Sequence, residues 1–197
     1  MKIYDISQEV FSCAVYPGDP SPVKKVLSSM KDGDLYNLTE FSMCAHNGTH
    51  LDAPSHFFEN GKTIDEIPLE RFVGPCFVAE YDGVLDGDAA EKIMSKANAE
   101  AKKRILLKGK SVVSLDAAKV FVESGIYLLG NESQTVGPED APMEVHKMLL
   151  GVDIVLLEGI RLEDICEGEY FLCAAPISLG GADGAPSRAI LYSDDKS

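Results

Sequence analysis

Three of the chain's four histidines lie within eleven residues, in the stretch HNGTHLDAPSH that runs from His46 to His56. Spread evenly, about a fifth of one histidine would fall in such a window, so the clustering calls for a chemical reason. His46 and His50 are four apart, a spacing that would share one face of a helix, but Asn47-Gly48 between them and Pro54 after them favour a turn. The metalloprotease helix is excluded as well, since it needs glutamate directly after its first histidine. His50 and Asp52 suit an extended segment, where residues two apart point the same way and can reach one ion. Imidazoles and a carboxylate with no cysteine among them suit Zn, Mn or Fe rather than a thiolate structural site. A set of hydrogen-bonded histidines ordering a buried loop would account for one such residue; it accounts poorly for His46, His50 and Asp52 together. A chain of this length needs no metal to fold, so the expectation is an open, catalytic site.

Two further residues are ambiguous alone. His146 lies in APMEVHKMLL, where Met143, His146 and Leu150 share a helical face, so its ring should point inward, as a satisfied core histidine or as a ligand. Glu158 ends the apolar strand DIVLLE and needs solvent, a hydrogen-bond network or a cation. A metal cluster elsewhere in the chain favours the ligand reading for both. Other matches fail. Gly109-Lys110-Ser111 resembles the end of a phosphate loop, but Arg104 stands where its leading glycine should be, which leaves a strand-end turn. The glycine-rich run from Gly180 to Gly184 is weak on its own. Cys44, in FSMCA, is expected in the core.

These residues must be carried by a scaffold. The 197 residues, 45% hydrophobic and 25% charged, read as one globular domain over 1–197. Eighteen Lys and Arg against 32 Asp and Glu give a net charge of −14, which opposes binding to nucleic acid and to anionic membrane surfaces. Acidic residues interrupt the N-terminal stretch where a signal peptide would be apolar, and the five cysteines form no C-x-x-C pair; a cytoplasmic location with reduced thiols is expected. The first third reads as extended pieces at 2–6, 23–28 and 36–44. After Gly74, extended runs alternate with helical patterns, the clearest being a helix over 115–124 with Ser114 as N-cap and Gly125 beyond its end. Thr63 to Glu66 has capping-box spacing, but Pro68 leaves room for only a turn of helix. A mixed sheet packed against helices is the expected class.

With these residues laid out, the chain resembles the cyclase family of metal-dependent hydrolases over nearly its full length. The family's H-x-G-T-H-x-D-x-P-x-H hallmark is met from His46 to His56. VYPGDP, the LLGNES stretch at Leu128 to Ser133, His146 with Leu149-Leu150 after it, Glu158-Gly159 and the GGADGAPSR run ending at Arg188 are similar too. The resemblance implies an α/β fold, a swivelling β/β/α domain with a mixed central sheet flanked by helices. It implies that His46, His50 and Asp52 hold one metal ion, that Asp52, His146 and Glu158 complete a second site, and that His56 is the acid/base. Zinc or manganese is expected, one or two ions per subunit, in a homodimer or homotetramer. The implied substrate is a small molecule with an amide C–N bond, foremost N-formylkynurenine, with Tyr16 of VYPGDP in the position that contacts the substrate's ring. A cyclic amide hydrolase and a cyclase or dehydratase remain alternatives within the family. Outside it stand a two-His-one-carboxylate iron oxygenase, which the helical stretches oppose, and a non-catalytic metal or ligand binder.

Overall fold

The computed structural model describes residues 1–138 and 143–193. Its elements run β1 (Lys2–Asp5), β2 (Val23–Ser28), β3 (Leu38–Ser42), β4 (His50–Asp52), β5 (Val73–Glu80), β6 (Gly83–Leu85), α1 (Gly87–Lys96), β7 (Arg104–Lys108), β8 (Ser111–Val113), α2 (Leu115–Glu123), β9 (Leu128–Asn131), α3 (Met143–Leu150), β10 (Val155–Glu158), β11 (Gly168–Cys173), β12 (Gly184–Pro186) and β13 (Ile190–Ser193). The extended runs and helices anticipated from the sequence are all present where described. Ala141 and Pro142, at the start of the anticipated third helix, lie outside the described residues.

Nine strands form one mixed sheet in the order β1-β13-β11-β5-β7-β9-β10-β4-β12. The central strands β5, β7, β9 and β10 are parallel; the pairs on either side are antiparallel. Only Ser187, Arg188 and Ala189 separate β12, at one edge, from β13, near the other. The four steps from Pro186 to Ile190 span about 14 Å at most, so the sheet must curl until its ends nearly meet. Arg161 N–H donates to the Ile6 carbonyl at 2.9 Å and helps close the gap.

Alternation along the strands divides the apolar side chains between two cores. Phe77, Ile105, Leu107, Leu129 and Leu156 face the helices, where they meet Ile93, Phe121 and Leu149. Val78, Leu106, Leu128, Val155 and Leu157 face the other way, into the curl, against Phe72, Leu51, Leu172 and Leu191. Ser114 caps α2 through its Oγ, and Gly125 follows the helix in the left-handed region. The Thr63 capping box forms on a single 3-10 turn, Ile64–Glu66, as Pro68 requires. On α3 the buried face is Val145, His146, Leu149 and Leu150; Met143 departs from the expected face and is 52% exposed, since it sits in the first turn, beyond the reach of the sheet. The hairpin of β2 and β3 stands apart, with nearly every side chain exposed. No helix among the described residues is long and apolar enough to cross a membrane.

Candidate metal centre

The site forms where the parallel strands end. β10 finishes on Glu158, β9 leads into Gln134 and Thr135, and α3, between them, supplies His146. Ligand sites in α/β sheets gather at this carboxyl edge, where chain leaving a strand converges with the start of the next connection. β4 pairs antiparallel with β10 so that His50 lies opposite Glu158 and Asp52 opposite Leu156. His50 and Asp52, two apart on that strand, face the same side, as the sequence spacing required. Before β4 the chain turns at Gly48, whose φ of +67° favours glycine, and the turn is tied down when Thr49 Oγ1 donates to the Gly159 carbonyl at 2.8 Å.

His46, His50, Asp52, His146 and Glu158 converge. The donor atoms of His46, His50 and Asp52 lie within 4.8 Å of one another, and so do those of Asp52, His146 and Glu158, with Asp52 common to both sets. Glu158 is only 2% exposed, so it is not a solvated strand end, and His146 is not a core histidine satisfied by apolar packing: its Nε2 lies 3.2 Å from Glu158 Oε1 and 3.7 Å from Asp52 Oδ2. His56 joins at the rim, 30% exposed, and Tyr16 lines the same cavity of about 280 Å³ together with Asp19, Phe57 and Gln134. Every anticipated site residue therefore reaches one place.

The charge balance fits a cation. Asp52 and Glu158 are buried carboxylates whose ion-pair partners among the described residues are all histidines. His50 Nδ1 lies 3.0 Å from the Gly48 carbonyl, so it carries the hydrogen, and the neutral ring turns its lone pair at Nε2 toward Asp52 Oδ1 and Glu158 Oε2, 3.5 Å from each. Three acceptors facing one another in a buried space repel unless a positive charge lies among them. Without a metal, that charge falls to the imidazoles. Burial pushes His46 down, but its bonds to Asp52 and Asp183 and their charges outweigh burial and raise it to about 10. His50 is raised despite its burial by Glu158 and Asp52, and Asp52 is lowered despite its burial by His46 and the neighbouring histidines. A nitrogen and oxygen donor set of this kind suits Zn or Mn.

Two features escaped the sequence reading. Asp183 bridges His46 Nε2 at 2.8 Å and His56 Nδ1 at 3.1 Å through the same Oδ2. It sits inside the glycine-rich run that looks like an ordinary turn, and only the likeness of that run to the family's pattern could have drawn attention to it. Cys44 is a correction: it is half-buried and lines the cavity, with Sγ 3.8 Å from Asp19 Oδ2, because β3 ends at Ser42 and the chain then turns toward the site.

Comparison with known proteins agrees with this architecture. Residues 4–138 match the family model described as "Putative cyclase", and the chain belongs to that cyclase family. It is similar to kynurenine formamidase of Salinibacter ruber, 33% identical over 97% of each chain, and to kynurenine formamidase of Bacillus anthracis, 31% identical over 96% of this chain and 97% of the relative. Among solved structures it is similar to one described as a predicted metal-dependent hydrolase from Bacillus stearothermophilus, with a TM-score of 0.80, 28% identity and coverage of 96% and 97%. The fold is also that of isatin hydrolase A from Labrenzia aggregata, with a TM-score of 0.82 at 22% identity over 96% and 93% of the two chains.

Proposed function

We propose that this protein is a metal-dependent hydrolase of a non-peptide amide C–N bond, with N-formylkynurenine as its substrate. The observation that carries the reading is the pair of buried carboxylates, Asp52 and Glu158, faced by His46, His50 and His146 with no Lys or Arg ion pair among the described residues. His46, His50 and Asp52 would hold one zinc or manganese ion, and Asp52, His146 and Glu158 a second. Such ions supply a water acidified toward neutral pH and a Lewis acid for the carbonyl oxygen.

The chain's own groups do the rest. His56 keeps its Nδ1 on Asp183, which leaves Nε2 to exchange a proton with a molecule in the cavity. An imidazole in that position can hand the proton to the leaving nitrogen. Tyr16 and Phe57 provide apolar walls against which a substituted benzene ring can lie. The expectation of a homodimer or homotetramer is carried forward on the β2–β3 hairpin, whose exposed Val26, Leu38 and Phe41 such an assembly would cover; light scattering on the purified protein checks it.

The test is metal analysis coupled to an assay of N-formylkynurenine hydrolysis. Activity should vanish on chelation and return with Zn or Mn. Replacing His56 with Ala should keep the metal content and lower turnover about a hundredfold or more. A metal-loaded enzyme that opens a cyclic amide and leaves N-formylkynurenine intact would replace the substrate; loss of metal from the His56 variant would make that residue a ligand.

A further inference from the structure

We infer that Asp183 is a positioning residue that locks the tautomers of His46 and His56 through one carboxylate oxygen, an inference that rests on the ligand and acid/base roles proposed above. Oδ2 lies 2.8 Å from His46 Nε2 and 3.1 Å from His56 Nδ1, and the two rings lie with centroids 4.2 Å apart and planes tilted by 33°. A carboxylate oxygen only accepts, so both of those ring nitrogens must carry the hydrogen. His46 Nδ1 meets Asp52 Oδ1 at 2.8 Å and shares a proton with it until an ion takes that proton's place, so Nδ1 is the nitrogen His46 offers to an ion. His56 is left with Nε2 to exchange a proton. A single side chain thus fixes which nitrogen of each ring is available, as carboxylates behind metal-bound histidines do.

The backbone holds Asp183 to both halves of this arrangement. Its carbonyl accepts from Ala53 N–H at 2.9 Å, next to the 3-10 turn Pro54–His56 that carries the acid/base. The following residue, Gly184, pairs with Asp52 across β12 and β4. His46 packs on the Gly184 α-carbon so closely that an added Cβ would lie 2.7 Å from the ring's Cε1 and 2.6 Å from the Leu51 carbonyl oxygen. Glycine there lets the imidazole approach near enough for its Nε2 to reach the neighbouring carboxylate. The Gly-Ala-Asp-Gly sequence is accordingly a device for presenting Asp183 rather than a plain turn.

The experiment uses Asp183→Asn, nearly isosteric, alone and combined with His56→Ala, with thermal unfolding as the check on folding. In metal-free protein, chelator competition should show the metal bound tenfold to a hundredfold more weakly in Asp183→Asn, and by the same factor when His56 is already Ala. With the metal restored, kcat should fall about tenfold with KM little changed, yet by less than about twofold in the His56→Ala background, because the residue acts through that ring. In the zinc-loaded protein, nitrogen chemical shifts should place the hydrogen on His46 Nε2 and His56 Nδ1 in the wild type and show mixed tautomers of His56 in the variant. Unchanged affinity and kcat, or an equal loss of kcat in both backgrounds, would overturn the inference. So would loss of a whole equivalent of bound metal, which would make Asp183 a ligand. Should the wild type hydrolyse no amide, the affinity and tautomer measurements still decide the matter, and that result would count against the proposed function alone.

Discussion

Each end of the parallel strands carries a buried charged constellation. At the amino ends, Arg104 opens β7 and is 4% exposed. Its guanidinium donates to the backbone carbonyls of Arg71 at 3.2 Å, Pro75 at 3.1 Å and Glu70, and lies 5.6 Å from the centre of the Tyr127 ring. Gly74 makes room for it; a Cβ there would come within 2.5 Å of Nη1. At the carboxyl ends, Asp52 and Glu158 are buried as deeply, but face imidazoles that balance them only by taking up protons from solvent or by sharing a cation with them. One end closes its electrostatics with its own backbone, and the other leaves them open. Burial of charge is common to both, so burial is not what marks function; the unbalanced remainder is.

That contrast is broken most directly by substituting at each end. Asp52→Asn removes the carboxylate common to both ligand sets and should cost the bound metal and about a thousandfold in turnover, since an ion of this kind is worth several kcal/mol to the transition state. Metal analysis and kinetics on the purified variant check both. Arg104→Met should do the opposite. It strands three carbonyl acceptors and lowers stability by about 3 kcal/mol in denaturant melts, with metal content and kcat retained. Loss of metal from a folded Arg104 variant would show that the two ends are coupled through the strands.

The two ends also differed in how far the sequence disclosed them. The carboxyl end was legible because its ligands come as a local motif: a turn, then a strand with two donors on one face, in a chain poor in histidine. His146 and Glu158 became readable only once that motif supplied a reason for burying them. Asp183 did not, because its partner His46 is 137 residues away and nothing local distinguishes a carboxylate in a glycine-rich turn from a solvated one. Arg104 entered the reading only as the residue that spoils a phosphate loop; a lone cation opening an apolar strand gives no hint that backbone carbonyls will surround it. The sheet order was legible only as a class, mixed with helices, since strand pairing and the curl are set by long-range contacts that periodicity does not encode.

Titration sharpens the comparison further. In metal-free protein His46, raised to about 10 from 6.5, contributes stability that is fully present below about pH 6.5 and is lost as the pH climbs toward 10. Melts of the metal-free protein should therefore shift downward between pH 7 and 10. Metal affinity should rise over the same interval, because binding displaces those protons, and calorimetry in two buffers of different ionisation enthalpy should register their release. Burial pushes the Arg104 guanidinium below its ordinary value but leaves it charged, so the amino end contributes no such slope. A stability curve that stays flat from pH 7 to 10 would count against the electrostatic account of the carboxyl end.

The smallest expected effect is chemical and local. Cys76, near Arg104 at the closed end, is fully buried, and burial pushes its thiol up to about 12 against the opposing charge of the guanidinium. The thiolate is the reactive form, so Cys76 should resist alkylation at pH 8 in the native protein and react only on unfolding. Cys44 borders the open end's cavity, on the same side as Tyr16 and Asp19. A small alkylating agent should label it slowly in the wild type, and an aromatic amide bound in the cavity should slow the labelling by the fraction of sites filled, while exposed Cys166 goes on reacting at its own rate. Peptide mass mapping separates the three thiols. Protection of Cys44 and Cys166 alike would point to a global change in the protein rather than occupancy of this cavity, whereas protection of Cys44 alone would locate the ligand beside the metal cluster without any reference to turnover.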